Sequence, residues 1–599
     1  MKLIMRSLEI PEKTLAIAAL SAMAVLPAVE MVSRQLNWPG IPGSSVFVQH
    51  LTLWVAFLGA ALAAGSGRLL ALSANMFLPP KWAPRVRIFG SAVAAAVTLC
   101  LAWASLQFVL AEREGGAILA DGIPKWAAQS IMPAAFILVA LRAVWGASET
   151  AAGRLAASLG LVIPLLLFLA PPPEGLAPLY CGMLVVLAAA LLGLPIFATL
   201  GGLALLLFWN SGVPVASVPV ETYRLVASPI FPSIPLFTFA GYLLVEGGAS
   251  QRLLRVYTAL LGWLPGGLTV TTAVVLAIFT WAGSGVTILA LGGLLLPILV
   301  KAKYPAHFST GLINASGSLG LLFPPSLPVI FYAMYARIGF DRLFVGGFLP
   351  GLLMVTLVCA YGVWQGIRHN AGRAAFSSTE ARRAIWEAKW ELAVPVIMLV
   401  GLFGGFGTLV EAGAITVLYC FLIERFAYRG FSVRRDYPRV ALECVTVVGC
   451  VLMIIGVAVG LTNYLVDAQV PGRLIAWVQA NIHSKYVFLA LLNVALVVKG
   501  SFMDVFSAII VVVPLITPLG ASFGIDPVQL AIIFLANLEL GYLTPPVGMN
   551  LCLSAYRFRQ PMAAIYRATL PFYIILLIGV LLVTYVPALT TAPARWLGY

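Results

Sequence analysis

Long apolar runs, separated by short polar segments, extend along the whole 599-residue chain. Many of these runs are long enough to cross the hydrocarbon core of a bilayer as a helix, which takes about 20 residues. In lipid, every backbone N–H and C=O must find a partner within the structure, and helices achieve this within one segment. The pattern therefore predicts an all-α polytopic membrane protein.

The character of the runs changes along the chain and divides it into three regions. The first five runs lie near 14–33, 46–66, 88–110, 126–145 and 155–170. The fifth leads into Pro171-Pro172-Pro173, and from about residue 178 the runs are richer in glycine and interrupted by Pro-Pro pairs and by prolines close to glycine, as in Gly193-Leu-Pro195. We expect a four-helix membrane domain at 1–150, a connector helix and loop at 151–177, and a larger helical domain at 178–599.

An ordered set of Gly, Ser and Pro motifs occurs twice in the third region, which indicates an internal repeat. Gly-Ser begins 14 residues before a proline in both copies, from Gly283 to Pro297 and from Gly500 to Pro514. A Pro-Pro pair follows that proline after 27 residues in one copy and 31 in the other. A possible amphipathic segment precedes each copy. The Pro-Pro pairs are Pro324-Pro325 and Pro545-Pro546, the amphipathic segments are 251–262 and 471–481, and the repeats span about 178–370 and 390–590.

Each repeat is expected to cross the membrane five times, with its Gly-Ser segment forming a re-entrant hairpin. The whole chain then has about 15 transmembrane helices and two hairpins, and the odd number of crossings inverts the second repeat relative to the first. This topology requires 178–209 and 393–425 each to fold as two short helices.

Composition and charge exclude several classes of protein. Hydrophobic residues make up 61% of the chain and charged residues 10%, whereas soluble proteins carry roughly 25% charged residues. The net charge of +14 comes from Lys and Arg in short loops, which form no nucleic-acid-binding patch. With the N-terminus taken as cytoplasmic, the crossings can be chosen so that the Arg-rich loops also face the cytoplasm, which is consistent with the usual charge bias of membrane proteins. The first apolar run is expected to be an uncleaved helix, and the four histidines and seven cysteines show no metal-ligand spacing.

Inverted repeats with interrupted helices are typical of secondary transporters. Each break frees backbone carbonyls that would be costly in hydrocarbon, so breaks occur where they line a cavity or bind an ion. Freed carbonyls and hydroxyl oxygens suit Na⁺, and the positive ends of half-helices suit an anion. The first candidate Na⁺ site comprises Ser284, Gly285, Gly320, Pro324 and Ser326, and the second comprises Gly500, Ser501, Asp504, Gly541, Thr544 and Pro545.

Ionisable residues within apolar runs are expensive and are therefore functional candidates. Asp504 could help to bind a cation, and Lys499 could meet a substrate carboxylate, but the two could equally form a structural pair with no transport role. Glu539 lies two residues before Gly541. The candidate substrate-binding residues are Ser284, Pro325, Lys499, Asp504 and Pro546.

Several motifs resemble the large membrane subunit of tripartite ATP-independent periplasmic (TRAP) transporters. Among them are Pro235-Leu-Phe-Thr-Phe-Ala-Gly241, Leu264-Pro-Gly-Gly-Leu268, Gly500-Ser-Phe-Met-Asp504 and Thr544-Pro-Pro-Val-Gly548. The matches span about 180–590, and residues 1–150 look like the four-helix small subunit, so the chain resembles the two subunits fused. Two departures concern the sites: Gly285-Val-Thr287 replaces a common serine pair, and Lys499 stands where an apolar residue or glycine is usual.

The resemblance implies a Na⁺-driven importer of small organic acids or similar anionic solutes, with two or more Na⁺ ions coupled to each cycle. It implies a periplasmic substrate-binding protein as partner, an elevator-like transport domain braced by the small-subunit helices, and a multi-pass location in the bacterial inner membrane. A stand-alone divalent-anion symporter driven by Na⁺ or H⁺ is the alternative. An integral-membrane enzyme is not expected, because no paired histidines or nucleophile motif occurs.

Overall fold

The computed structural model is helical throughout and contains no β-strand among the residues it describes, so the predicted fold class is confirmed. Seven described helices are long and apolar enough to cross a membrane, and shorter apolar helices of 10–17 residues accompany them. The predicted total of about 15 spans stays a prediction. The structure describes residues 2–69, 71, 81–162, 177–280, 284–324, 326–369, 375–404, 407–502, 505–545 and 548–596.

The helices up to residue 246 follow the predicted apolar runs. They are α1 Lys2–Gln35, α2 Ser44–Ser66, α3 Ala83–Gly115, α4 Lys125–Gln129, α5 Ile131–Gly146, α6 Ala151–Ser158, α7 Ala177–Leu191, α8 Ile196–Asn210, α9 Ser217–Val226 and α10 Ser233–Glu246. The region 178–209 is two helices, as the topology required. The chain turns between α7 and α8 at Gly193, whose φ of 100° favours glycine, and Pro195 caps α8.

The helices from residue 249 onward contain the two repeats' hairpins and breaks. They are α11 Ala249–Leu261, α12 Gly267–Phe279, α13 Ser284–Lys301, α14 Ala306–Ser316, α15 Leu327–Ala336, α16 Phe340–Arg368, α17 Ser378–Glu387, α18 Lys389–Phe403, α19 Leu409–Leu422, α20 Asp436–Asp467, α21 Val470–Asn481, α22 Lys485–Phe502, α23 Val505–Ser522, α24 Pro527–Gly541, α25 Met549–Phe558, α26 Met562–Tyr585 and α27 Ala588–Trp596. The helices α18 and α19 confirm the second predicted pair, and α11 and α21 form at the two amphipathic segments.

The chain divides into two compact units, of which the first comprises 1–236, 407–418 and 432–470. Its centre is the buried helix α20, against which α2, α8 and α9 pack. Helices α2 and α20 touch backbone to backbone, because a Cβ on Gly59 would lie 2.0 Å from the Val445 carbonyl oxygen and 3.0 Å from the Gly449 Cα. Small residues that allow such an approach are the usual means of helix association in membranes.

A buried ion pair fastens α1 to α5 inside the first unit. Arg142 Nη2 donates to Glu12 Oε2 at 2.6 Å, and Arg142 Nη1 donates to Glu12 Oε1 at 2.8 Å. The two side chains are only 6% and 4% exposed, so neither charge is solvated by bulk water. The paired geometry offsets the cost of desolvation, which would be severe for either charge alone.

The second unit comprises 237–406, 419–431 and 471–599, and its helices pack in a reciprocal pattern. Helix α13 packs on α25 while α15 packs on α23, and α14 packs on α26 while α16 packs on α24. Helices α13, α14, α15 and α16 of the first repeat correspond in order to α23, α24, α25 and α26 of the second. Each contact between repeats therefore has a second contact between the corresponding helices. This is the packing that two structurally equivalent repeats produce, and it supports the repeat found in the sequence.

Loss of the buried ion pair should destabilise the first unit strongly. We expect Arg142→Met to lower the free energy of unfolding by about 3–5 kcal/mol, because Glu12 would be left buried and unpaired. The measurement is chemical unfolding in detergent. Lys13→Ala is the control, because the Lys13–Glu9 pair is about 40% exposed and such pairs contribute less than about 1 kcal/mol. Equal effects of the two substitutions would contradict the proposed role of the buried pair.

Candidate functional site

The hairpin tip and the helix break of the second repeat meet through bare backbone. A Cβ on Gly541, at the end of α24, would lie 2.6 Å from the Gly500 Cα near the end of α22. Close by, the Gly548 N–H donates to the Ser501 carbonyl oxygen at 3.0 Å, and the Val505 N–H donates to the Tyr542 hydroxyl at 3.0 Å. The predicted second site therefore brings together Gly500, Ser501 and Gly541.

The other residues predicted for the second site do not all lie at this contact. The Thr544 N–H donates to the Gly541 carbonyl at 3.0 Å, so Thr544 lies one turn beyond the contact, and its hydroxyl donates to the Leu540 carbonyl at 2.9 Å. Pro545 follows it and is exposed. Asp504 and Pro546 lie outside the described residues.

The first repeat forms a corresponding contact between the end of α12 and its break. The Thr280 hydroxyl, just after α12, lies 3.2 Å from the Gly317 carbonyl oxygen and 2.6 Å from that of Leu276. A Cβ on Gly320 would lie 2.0 Å from the Ala277 carbonyl oxygen, so the break packs directly on the end of α12. Thr280 had no signal in the sequence beyond being a hydroxyl in an apolar run.

The residues predicted for the first site lie on both sides of this contact. Ser284 and Gly285 begin α13, and the side chain of Ser284 lies outside the described part of the structure. Pro324 follows the short helix Leu319–Leu322, and Pro325 is not among the described residues. Ser326 is 1% exposed and occupies the N-cap position of α15. Its hydroxyl makes no capping bond and has no hydrogen-bond partner among the described residues.

The two breaks place several kinds of oxygen ligand within the buried interior. The Ser501 hydroxyl is buried and donates to the Val498 carbonyl at 2.7 Å, which leaves its oxygen lone pairs able to accept or to coordinate. Backbone carbonyls are freed where α22, α24 and α14 end. Such neutral oxygens can replace the hydration shell of a small cation.

Buried asparagines near both breaks were not anticipated from the sequence. Asn314 on α14 donates to the Thr569 hydroxyl of α26 at 2.7 Å and accepts from the Ser554 hydroxyl at 3.0 Å. Asn537 occupies the corresponding helix α24 and donates to Asn493 Oδ1 at 2.6 Å. Asparagine inside an apolar run was the available signal, and these bonds fix the orientation of the two helices that carry the breaks.

Two ionisable residues accompany the second site. Glu539 on α24 is fully buried, and neither of its carboxyl oxygens has a hydrogen-bond partner in the described part of the chain. Lys499 is half-buried on α22, and no ion pair joins it to Glu539 among the described residues. Because Asp504 lies outside those residues, both interpretations of Lys499 stay open.

Comparison with known families decides the identity of the chain. Residues 181–589 match the family model of the tripartite ATP-independent periplasmic transporter, DctM component. Residues 23–151 match that of the DctQ component. The chain belongs to the TRAP transporter family. It contains the small and the large TRAP membrane subunits in one polypeptide, as the sequence motifs indicated.

Individual relatives agree with this assignment. The isethionate TRAP transporter permease protein DctMQ of Oleidesulfovibrio alaskensis is 31% identical over 481 residues, covering 78% of this chain and 75% of that protein. The C4-dicarboxylate TRAP transporter large permease protein DctM of Pseudomonas aeruginosa is 32% identical, covering 66% of this chain and 93% of that protein. The ectoine/5-hydroxyectoine TRAP transporter large permease protein UehC of Ruegeria pomeroyi is 30% identical, covering 58% and 82%.

A solved structure of the YdaH transporter of Alcanivorax borkumensis, described as having an unusual topology, is similar at a TM-score of 0.42 and 16% identity. The matched region covers 63% of this chain and 88% of that chain, and the likeness is too low to support an inference.

Membership of the TRAP family makes the chain an integral protein of the bacterial inner membrane. Its class is a permease for secondary solute import with a periplasmic binding protein.

The contact between Gly500 and Gly541 should not tolerate a side chain. We expect Gly541→Ala to lower the unfolding free energy by about 1–3 kcal/mol, because the new methyl group would force the two backbones apart. The measurement is the thermal melting curve of the purified protein in detergent. Gly90→Ala is the matched control, since Gly90 lies inside α3 with nothing within 4 Å of the added Cβ. A Gly541→Ala protein as stable as the Gly90→Ala protein would contradict the close approach.

Proposed function

We propose that this TRAP permease imports a small organic anion by Na⁺ symport, with an elevator-like movement of its hairpins and broken helices. The observation that carries the proposal is the pairing of each hairpin with a helix break. Interrupted helices at corresponding positions of two repeats are where secondary transporters bind their ions and substrates. The resemblance to TRAP transporters adds the elevator mechanism and a delivering binding protein.

Sodium is favoured as the coupling ion by the chemistry of the two breaks. The groups near the second contact are backbone carbonyls and the hydroxyl of Ser501, with Thr544 one turn away. Neutral oxygens of this kind suit a hard monovalent cation, and two such sites favour at least two ions. Each Na⁺ would gain about 2.3 kcal/mol per 100 mV of membrane potential, in addition to its concentration gradient.

An anionic solute is favoured by the substrates named for the relatives and by the charge near the breaks. Isethionate and C4-dicarboxylates, named for two relatives, are small organic anions. The N-terminus of α15 carries partial positive charge beside the first break, and Lys499 lies next to the second. We place the N-terminus of the chain in the cytoplasm, because the Lys- and Arg-rich loops then face inward.

The alternative of a stand-alone symporter has less support. The chain carries a DctQ component at 23–151, which a transporter without a binding protein would not require. Proton coupling remains a distinct outcome of the tests below, with Asp504 and Glu539 as the first candidate carriers.

Sodium should stabilise the detergent-purified protein specifically. Binding at 100 times the dissociation constant adds about 2.7 kcal/mol, so we expect a saturable rise in melting temperature in NaCl that KCl and choline chloride do not reproduce. Ser501→Ala should weaken this rise. Ser522→Ala is the matched control, because its hydroxyl also donates at 2.7 Å to a carbonyl three residues earlier but lies at the far end of α23. Identical melting curves in the three salts would count against Na⁺ binding.

Uptake into proteoliposomes tests the proposed function itself. With a periplasmic binding protein encoded beside this gene and its radiolabelled organic-anion ligand, we expect accumulation to require an inward Na⁺ gradient. A membrane potential that is negative inside should increase the accumulation. Omission of the binding protein should abolish uptake at low solute concentration. Uptake driven by a pH gradient without Na⁺ would overturn Na⁺ coupling and transfer the role to protons.

A further inference from the structure

A cluster of charged side chains in the second unit, away from both breaks, fixes the beginning of the amphipathic helix α11. Arg252 of α11 is bonded through Nε to Glu391 of α18 and through Nη2 to Glu424 Oε1 at 2.9 Å. Its Nη1 donates to the Gly247 carbonyl at 3.0 Å, and its guanidinium lies 3.6 Å from the centre of the Tyr428 ring. One N–H on each of the three guanidinium nitrogens and one face of the group are therefore engaged.

The cluster contains more negative than positive charge in a buried place. The side chains of Glu391 and Glu424 are 1% and 0% exposed, and the one guanidinium they share is 16% exposed. One Arg neutralises one carboxylate, so two ionised carboxylates would leave a net charge of −1 away from water. An uncompensated buried charge is strongly unfavourable, and a carboxyl in this situation takes up a proton.

The hydrogen-bond geometry also requires one more proton. The Tyr428 hydroxyl lies within hydrogen-bonding distance of both Glu391 Oε2 and the Glu387 carbonyl oxygen, the latter at 2.8 Å. A tyrosine hydroxyl has a single hydrogen and can donate to only one of two acceptors. Both contacts can be hydrogen bonds only if the cluster supplies one more hydrogen to the contact between Glu391 and Tyr428.

The backbone of Gly247 packs directly against the carboxyl group of Glu424. A Cβ on Gly247 would lie 1.9 Å from the Glu424 carboxyl carbon and 2.1 Å from its Oε2. This oxygen is buried and has no hydrogen-bond partner among the described residues. A neutral carboxyl is tolerated in such a position at much lower cost than an ionised one.

We propose that the cluster of Arg252, Glu391, Glu424 and Tyr428 is a proton-binding site, and that its single shared proton fastens the N-terminal end of α11. The site is separate from the coupling-ion sites at the breaks and does not depend on them. Its assembly explains how two buried carboxyls and one guanidinium coexist with a tyrosine that faces two acceptors.

The expected pH range follows from the surroundings of Glu424, which lies in the turn after α19. Burial raises the pKa of Glu424 to about 7, against the opposing effect of Arg252. The charged groups that act on Glu424 are Arg252 of α11, which lowers its pKa, and Glu391 of α18, which raises it. The other titratable groups near the two carboxyls are Tyr428 after α19 and Tyr419 and Cys420 within α19. Between the ordinary pKa of a glutamate, about 4.3, and about 7, the closed cluster holds a proton that the opened cluster releases. The attachment of α11 is therefore tightest in acid, weakens as pH rises to about 7, and changes little above that.

Hydrogen exchange of the α11 amides, corrected for intrinsic rates, tests the proposal on the full chain in detergent. In the wild-type protein, we expect protection to fall by up to about tenfold per pH unit between about pH 5 and 7, and then to level off. Glu424→Gln mimics the neutral carboxyl and should remove most of this pH dependence. Glu380→Gln is the matched control, because it alters the exposed pairs of Arg255 on the same helix and should keep the wild-type profile.

A second measurement detects the proton directly and so distinguishes loss of the proton from a merely structural effect of Glu424→Gln. In infrared difference spectra recorded against pH, the carbonyl stretch of a protonated carboxyl should decline through about pH 7 in the wild-type protein, and this change should be absent from the Glu391→Gln/Glu424→Gln double variant. An unchanged pH profile in Glu424→Gln would overturn the proposal. Restoration of α11 protection at about pH 8 by NaCl, but not by KCl, would assign the site to a metal cation instead.

Discussion

The hydrogen-bonding demand of a backbone in hydrocarbon is the constraint on which the second unit depends. A helix can be interrupted in lipid only where other protein groups meet the freed N–H and C=O groups. Here the partners are mostly backbone: Gly500 and Gly541 touch directly, and the Ser501 carbonyl accepts from the Gly548 N–H. The Thr280 hydroxyl makes an equivalent contact with the Gly317 carbonyl.

Glycine and proline made much of this architecture predictable from the sequence alone. Proline lacks an N–H whatever surrounds it. The Pro-Pro pairs and the prolines close to glycine therefore indicated the helix breaks, including the one at Gly193-Leu-Pro195. Glycine also allows the backbone contact itself, and the repeat of Gly-Ser before proline indicated which breaks correspond. These signals are local in sequence and can be recognised without knowledge of the tertiary fold.

The polar contacts between helices could not be predicted, because their partners are remote in sequence. Asn314 and Thr569 are separated by 255 residues, and Glu12 and Arg142 by 130. Hydroxyls such as Thr280 gave no signal because many serines and threonines in apolar helices bond only to their own backbone. The sequence identifies a buried polar residue as expensive, but the packing of the helices decides which group satisfies it.

Two buried ionic groups in the described part of the chain differ in the number of charges they bring together. Glu12 and Arg142 form a pair with one charge of each sign and no excess. Arg252 serves two buried carboxyls, which leaves one negative charge without a partner unless a proton is bound. Charge count therefore separates a contact that serves only packing from one that can respond to pH. Because the second group fastens the amphipathic helix α11, a change in its protonation can alter one attachment while the packing of the repeats is retained.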